Sequence, residues 1–261
     1  AEDRASLSRY SIIYCNTDDN LSRENTYIDI LTEKMVDGII FTHSADRQGG
    51  AEGFKRCRVP IILIDRDYDL PNVIGKVLVD NTKASYMGVN YLLDQGYRKI
   101  AYIAGSIHTR TAMDRLEGYK KALADRNLVY GEEYVKIGEY KSQWGSEAAK
   151  AFLDEKIDFD AIFCGNDLIA IGAVKALKEA GYRVPEDVGV MGFDDIYMAG
   201  VVEPALTTVK QPNYEMGYRA AELLINAIER ADSPEKIEGI ETVILDTELT
   251  VRQSTKKGAA Q

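Results

Sequence analysis

The strongest constraint in this chain is a repeated alternation. Short apolar runs take turns with longer segments whose apolar residues recur every three to four positions. Ser11–Cys15, Gly38–Phe41, Pro60–Ile64, Val77–Val79, Lys99–Ala104, Asp160–Cys164 and Val188–Phe193 all read as strands. Such near-continuous apolar strands suit a parallel sheet covered on both faces. Residues 166–180 show the helical pattern, with Leu168, Ile169, Ala173, Val174, Ala176 and Leu177 on one face. Asn166 is placed to N-cap this helix and Gly181 to take the left-handed position after it. Strands alternating with helices predict a doubly wound α/β architecture.

A chain of 261 residues has the length of two such domains. A helix from Tyr214 to Arg230 follows the last full strand–helix unit, and an extended segment, Thr242 to Val251, follows the helix. The tail is therefore expected to return to the first domain and cross again. The crossings fall near Asp80-Asn81, Lys210-Gln211-Pro212 and Asp246-Thr247. Residues 1–8 read as the end of a helix leading into a strand. A βαβ sheet puts a strand before such a helix, so the sequence reads as beginning inside its first unit.

Composition narrows the function classes. At 45% hydrophobic and 28% charged, the chain has the make-up of a globular protein able to bury its own core. A net charge of −10 argues against these residues gripping a phosphate backbone. No apolar run reaches the roughly 18 residues of a membrane span. Cys15, Cys57 and Cys164 are odd in number and scattered, which favours a reducing compartment over a disulfide framework. With His43 and His108 as the only histidines, no metal site is expected, and no cofactor. Phosphate loops, nucleophile elbows and a histidine beside a nucleophile are all lacking. The pairs Asp18-Asp19 and Asp194-Asp195 are adjacent in sequence, which does not place two carboxylates across one bond. An enzyme is the least supported reading.

Polar residues instead follow the apolar strands directly. Asp65-Arg66 follow Ile64, Asn166-Asp167 follow Cys164-Gly165, and Asp194-Asp195 follow Phe193. Open α/β sheets bind ligands beyond the carboxyl ends of their strands. A carboxylate accepts from neighbouring hydroxyls, an arginine donates a rigid fork, and an asparagine does both, which suits a polyhydroxylated ligand. Each of these residues also has an ordinary reading as a turn former or helix cap. Arg115, on a helix after the strand ending at Ala104, reads on pattern alone as a solvated side chain more often than as a ligand. Tyr140 and Trp144 beside a helix entry could stack on a sugar face or simply pack.

Several of these segments together resemble one family. Val188–Asp195 followed by Pro204–Pro212 is similar to the effector-binding core of the lactose-repressor/galactose-repressor transcription factors. So are Val36–Ile40, Arg115–Tyr119, Cys164–Asp167 and the closing Thr247–Ser254. The resemblance covers nearly the whole chain. It implies a periplasmic-binding-protein-like fold of two Rossmann-like subdomains with parallel sheets, joined by three crossovers. Residues 1–80 with 212–245 would form the N-terminal subdomain, lacking its first strand, and 81–211 with 246–261 the C-terminal one.

The resemblance also implies a small-molecule effector in the cleft between subdomains, and a homodimer. Asp194, Asn166 and Arg115 match effector-contacting positions of the family, and Tyr140 matches its aromatic cleft position. Asp65-Arg66 resembles the Asp-Arg pair of ribose-binding proteins of the same fold, and Gln211 their hinge-side polar contact. The set points to a monosaccharide, ribose-like at first guess. The family's helix-turn-helix, through which operator DNA would be bound, has no counterpart in this sequence. The expected role is effector sensing and dimerisation in a cytoplasmic, sugar-responsive regulator. A periplasmic sugar-binding protein of a transporter, with the same fold and ligand chemistry, is the alternative.

Overall fold

A computed structural model of the chain describes residues 1–18, 20–42, 52–67, 70–128, 131–230 and 239–255. His43 and Asp19 lie outside the described residues. The chain divides into two compact units, Ala1–Val79 with Pro212–Leu245 and Asp80–Gln211 with Asp246–Gln261. It thus passes between them after Val79, after Gln211 and after Leu245. Asp80, counted with the first unit on sequence, belongs to the second, where its side chain caps a helix by accepting from the N–H of Lys83.

The first unit runs through α1 (Glu2–Leu7), α2 (Leu21–Glu33), β1 (Ile39–Phe41), α3 (Glu52–Arg56), β2 (Ile61–Ile64) and β3 (Val73–Val79). The second follows with α4 (Asn81–Asp94), β4 (Ile100–Ala104), α5 (Arg110–Asp125), β5 (Val135–Ile137), α6 (Ser142–Asp154), β6 (Ala161–Cys164), α7 (Asp167–Glu179), β7 (Gly189–Asp194) and β8 (Thr207–Lys210). The chain returns to the first unit as α8 (Asn213–Arg230) and β9 (Glu241–Leu245), and ends in the second with β10 (Glu248–Thr250).

The first unit's sheet has the order β1-β2-β3-β9 and is parallel throughout. Ile62, Val77 and Val79 pack against Met216, Ala220 and Leu224 of α8. Ile61, Leu63 and Val73 pack with Ile28 of α2 and Phe54 of α3. Both faces are covered, which is why β2 reads as an unbroken apolar run rather than an alternation.

The second unit's sheet has the order β10-β8-β7-β6-β4-β5, parallel except for the β10–β8 pair. The two-residue period of β4 sends Ala101 and Ile103 into the core shared with α6 and α7, and Ile100, Tyr102 and Ala104 into that shared with α4 and α5. The chain leaves β4 outward to β5 and then returns to β6 on the other side. The strand order therefore reverses between β4 and β6, the switch point where open α/β sheets take ligands. Helices α4 and α5 approach closely because residue 118 is glycine: a Cβ there would lie 2.3 Å from the Thr82 carbonyl oxygen.

Two sequence expectations need correction. Ser11–Cys15 is not a strand, and Ile13 and Tyr14 are 59% and 74% exposed. A strand needs a partner for its backbone groups, and among the described residues β1 pairs only with β2, offering this segment no ladder. Leu168 leaves the buried face of α7 and is 40% exposed. The helical period puts it on the outward row with Lys175 and Glu179, whose side chains are also exposed. Gly181 closes α7 at φ +87°, as its position predicted. The three-residue β5 carries too little pattern to have been anticipated.

Candidate functional site

The carboxyl ends of β4, β6, β7 and β8 lie side by side in the second unit, and the polar residues that follow them meet there. Arg115 is the centre of the group. Its Nε donates to Asn81 Oδ1 at 2.8 Å and its Nη1 to the Gly165 carbonyl at 2.6 Å, at the end of β6. Its Nη2 lies 3.4 Å from Asp194 Oδ1, at the end of β7. The guanidinium rests on the Phe193 ring, 3.6 Å from the centroid. At 4% exposure, Arg115 is not the solvated helix side chain that its pattern alone suggested. Its backbone carbonyl also accepts from Ser85 Oγ, which pins this turn of α5 to α4.

Asp194 accepts from Gln211 Nε2 at 2.7 Å, the residue that follows β8. Asp194 and Asp195 have φ of 104° and 57°, a region that L-residues occupy at a cost and that neighbouring structure must hold in place. Asp167 supplies the hold. Its Oδ2 accepts from the Ile196 N–H at 2.8 Å and its Oδ1 from Thr208 Oγ1 at 2.6 Å. Gly192 leaves it room, since a Cβ there would come within 2.1 Å of Asp167 Oδ1. Burial pushes the Asp167 carboxyl up to about 7 against the pull of those hydrogen bonds, with Asp194 and Asp195 adding to the rise.

Asn166 does what a helix cap does: its Oδ1 accepts from the Ile169 N–H at 2.9 Å. That leaves its amide nitrogen as the ligand-competent group. Tyr140 is half-buried and covers Gly105, where a Cβ would lie 2.3 Å from the ring. Trp144 donates Nε1 to the Ala104 carbonyl and packs its ring over Gly138, so both roles of this indole are structural.

In the first unit, Asp65 and Arg66 follow β2. Arg66 Nη1 lies 2.9 Å from Asp65 Oδ2 and also donates to the Asp65 carbonyl. Asp65 has φ 54°. Both side chains are largely buried.

Gln211 Oε1 and Asp65 Oδ1 at these strand ends, and Tyr102 Oη in the adjoining core, are buried without a hydrogen-bond partner among the described residues, whereas the buried Asp195 Oδ1 faces Arg252 Nη2 at 2.7 Å. A buried acceptor without a donor costs free energy that a donating ligand recovers. Sequence reasoning missed Asn81 as the partner of Arg115. Its signal was its place beside a crossing, one residue past the cap Asp80. Groups of three or more His, Cys, Asp or Glu able to hold a metal ion are absent among the described residues.

Residues 89–255 match the family described as the periplasmic binding protein-like domain. An HTH-type transcriptional regulator RegA of Clostridium acetobutylicum is 38% identical over 259 residues, covering 98% of this chain and 76% of that protein. The chain belongs to the lactose-repressor/galactose-repressor family. It is the effector-binding domain of a transcriptional regulator of that family, with the periplasmic-binding-protein-like fold. The crystal structure of transcription regulator CcpA of Lactococcus lactis superposes with a TM-score of 0.86 at 30% identity, over 97% of this chain and 91% of that one. A complex of transcriptional regulator CelR with cellobiose superposes at 0.83 and 29% identity, over 97% of this chain and 76% of that one. These matched relatives are regulators rather than enzymes or transport proteins. Among the described residues no helix is long and apolar enough to cross a membrane.

Proposed function

We propose that this domain senses a small saccharide, a monosaccharide first among candidates, through Arg115, Asn166, Asp194, Gln211 and Tyr140 of the second unit. Asp65 and Arg66, at the matching sheet end of the first unit, form a second ligand-contacting set. The observation that carries this reading is the pairing of buried, unpartnered acceptors at Gln211 and Asp65 with charged neighbours at strand ends. Vicinal hydroxyls supply the donors those acceptors want, and Asp194 and Arg115 supply charge-assisted bonds to the same kind of ligand. The cellobiose bound by CelR gives the saccharide class independent support.

In the intact regulator, effector binding shifts a conformational equilibrium by no more than the difference in its affinity for the two states. The regulator acts in the cytoplasm as a homodimer. Operator DNA is contacted by a helix-turn-helix outside these 261 residues, in keeping with their −10 charge. The exposed Tyr197, Met198 and Val201, at 86%, 45% and 58%, offer a surface for the second copy. Sedimentation at micromolar protein tests the dimer, and a monomer contradicts it.

The test of function is a calorimetric titration of the domain with D-ribose, D-glucose and cellobiose, followed by mass analysis of the recovered sugar. One saccharide binds and returns unchanged if the reading holds. Binding of none, or a new product formed in proportion to protein, overturns it.

A further inference from the structure

Arg115 and Asp194 are held by two residues that stand at the chain's passages between units. Asn81 is the second residue after the passage at Val79–Asp80, and Gln211 is the last before the passage at Gln211–Pro212. Asn81 is 4% exposed and opens α4, with its Oδ1 accepting from Arg115 Nε. A guanidinium is a planar fork, so fixing Nε against one acceptor fixes where both Nη atoms point. Nη1 then reaches the Gly165 carbonyl and Nη2 faces Asp194. The Phe193 ring sets the plane of the fork but not its rotation within that plane. Asn81 therefore supplies an in-plane reference on the Nε side of the fork, as Asp194 does on the Nη2 side. Ser85, one helical turn further along α4, fixes the backbone of the same residue. Helix α4 acts as the template on which the arginine is aimed.

We propose that Asn81 is a positioning residue for the effector site: it orients Arg115 toward Asp194 and so ties the geometry of that pair to the first helical turn after an inter-unit passage. The binding arm of the test rests on the function proposed above, while the spectroscopic arm does not. An acceptor is what the position requires. Asn81→Asp keeps one and strengthens it by charge, and Asn81→Ala removes it. Asn81→Ser keeps a polar side chain too short to reach Nε, and serves if the alanine variant does not fold.

The experiment uses the 15N-labelled 261-residue chain. The Arg115 Nε–H resonance is identified by its loss in Arg115→Lys. In the parent and in Asn81→Asp it exchanges slowly with solvent, and in Asn81→Ala or Asn81→Ser it exchanges faster by about an order of magnitude. D-ribose, D-glucose and cellobiose are then titrated into each variant. A saccharide that binds the parent binds Asn81→Ala or Asn81→Ser about 10-fold more weakly, and Asn81→Asp restores binding to within about 3-fold. If none binds the parent, the function reading fails and the exchange rates alone decide the positioning role. Unchanged Arg115 exchange in the alanine and serine variants overturns the proposal, as does parent-like affinity in both.

Discussion

The guanidinium of Arg115 lies against the ring of Phe193, 3.6 Å from its centroid, one residue before the aspartate it faces. Period two along β7 sends Phe193 into the core with α4 and α5, and Asp194 ends the strand beside it. A buried cation is thus given an aromatic face and a carboxylate by consecutive residues of one strand.

Replacing Arg115 by Lys keeps the charge but loses the fork, the stacking and at least one of the bonds to Asn81 and Gly165. Affinity for the effector falls. Because this side chain is buried, stability falls too, by about 1–3 kcal/mol from the acceptors left unsatisfied. A solvated helix side chain, the reading its pattern alone suggests, would carry no such stability loss. Denaturant unfolding of the variant beside the parent checks the point.

Asn166→Ala removes the cap that α7 receives from this side chain. A loss of about 1 kcal/mol is expected from the cap alone, read as a lower unfolding midpoint. If the amide nitrogen also meets the ligand, saccharide affinity falls beyond what the loss of stability accounts for. Parallel melts and titrations separate the two effects.

Asp167 gives the stability a pH dependence with a definite sign. Its carboxyl is raised in the folded state, from 3.8 to about 7, so the native protein binds the proton more tightly than the unfolded chain. The resulting contribution is complete below pH 3.8 and is lost as pH rises through about 7. Asp167→Asn removes this titration. Between pH 5 and pH 8 the parent is therefore expected to lose more stability than the variant, measured by urea midpoints at both values. An identical change in both proteins would contradict the assignment.

Much of this was legible in the sequence because the relevant signals are local. Asn166 and Gly181 bracket α7 where a cap and a left-handed residue are needed, the apolar run Pro60–Ile64 contains β2, and Val188–Phe193 covers β7 up to its last residue, Asp194. Arg115 was harder to read. Its burial depends on Asn81, Gly165 and Phe193, which come from three other elements, and no period along α5 encodes them. Ser11–Cys15 failed for the complementary reason: an apolar run states what would suit a strand but not whether a neighbour is present to pair with it. Asp167 looked like one more turn residue, and its role in holding the turn after Asp194 exists only once β7 and β8 are adjacent.

The carboxylate of Asp194 is the most direct point of attack. Its φ of 104° suits glycine, so Asp194→Gly removes the acceptor without asking the backbone to move. The decisive measurement is a calorimetric titration of the parent and of Asp194→Gly with the saccharide that binds the parent, run beside thermal melts. The account predicts an affinity loss of about 10-fold to 150-fold in a variant that is still folded at the titration temperature, since a bond to a charged group is worth roughly 1.5–3 kcal/mol, while the melting temperature falls because Arg115 and Gln211 lose a partner. Parent-like affinity in the glycine variant would contradict the assignment of this cluster as the effector site.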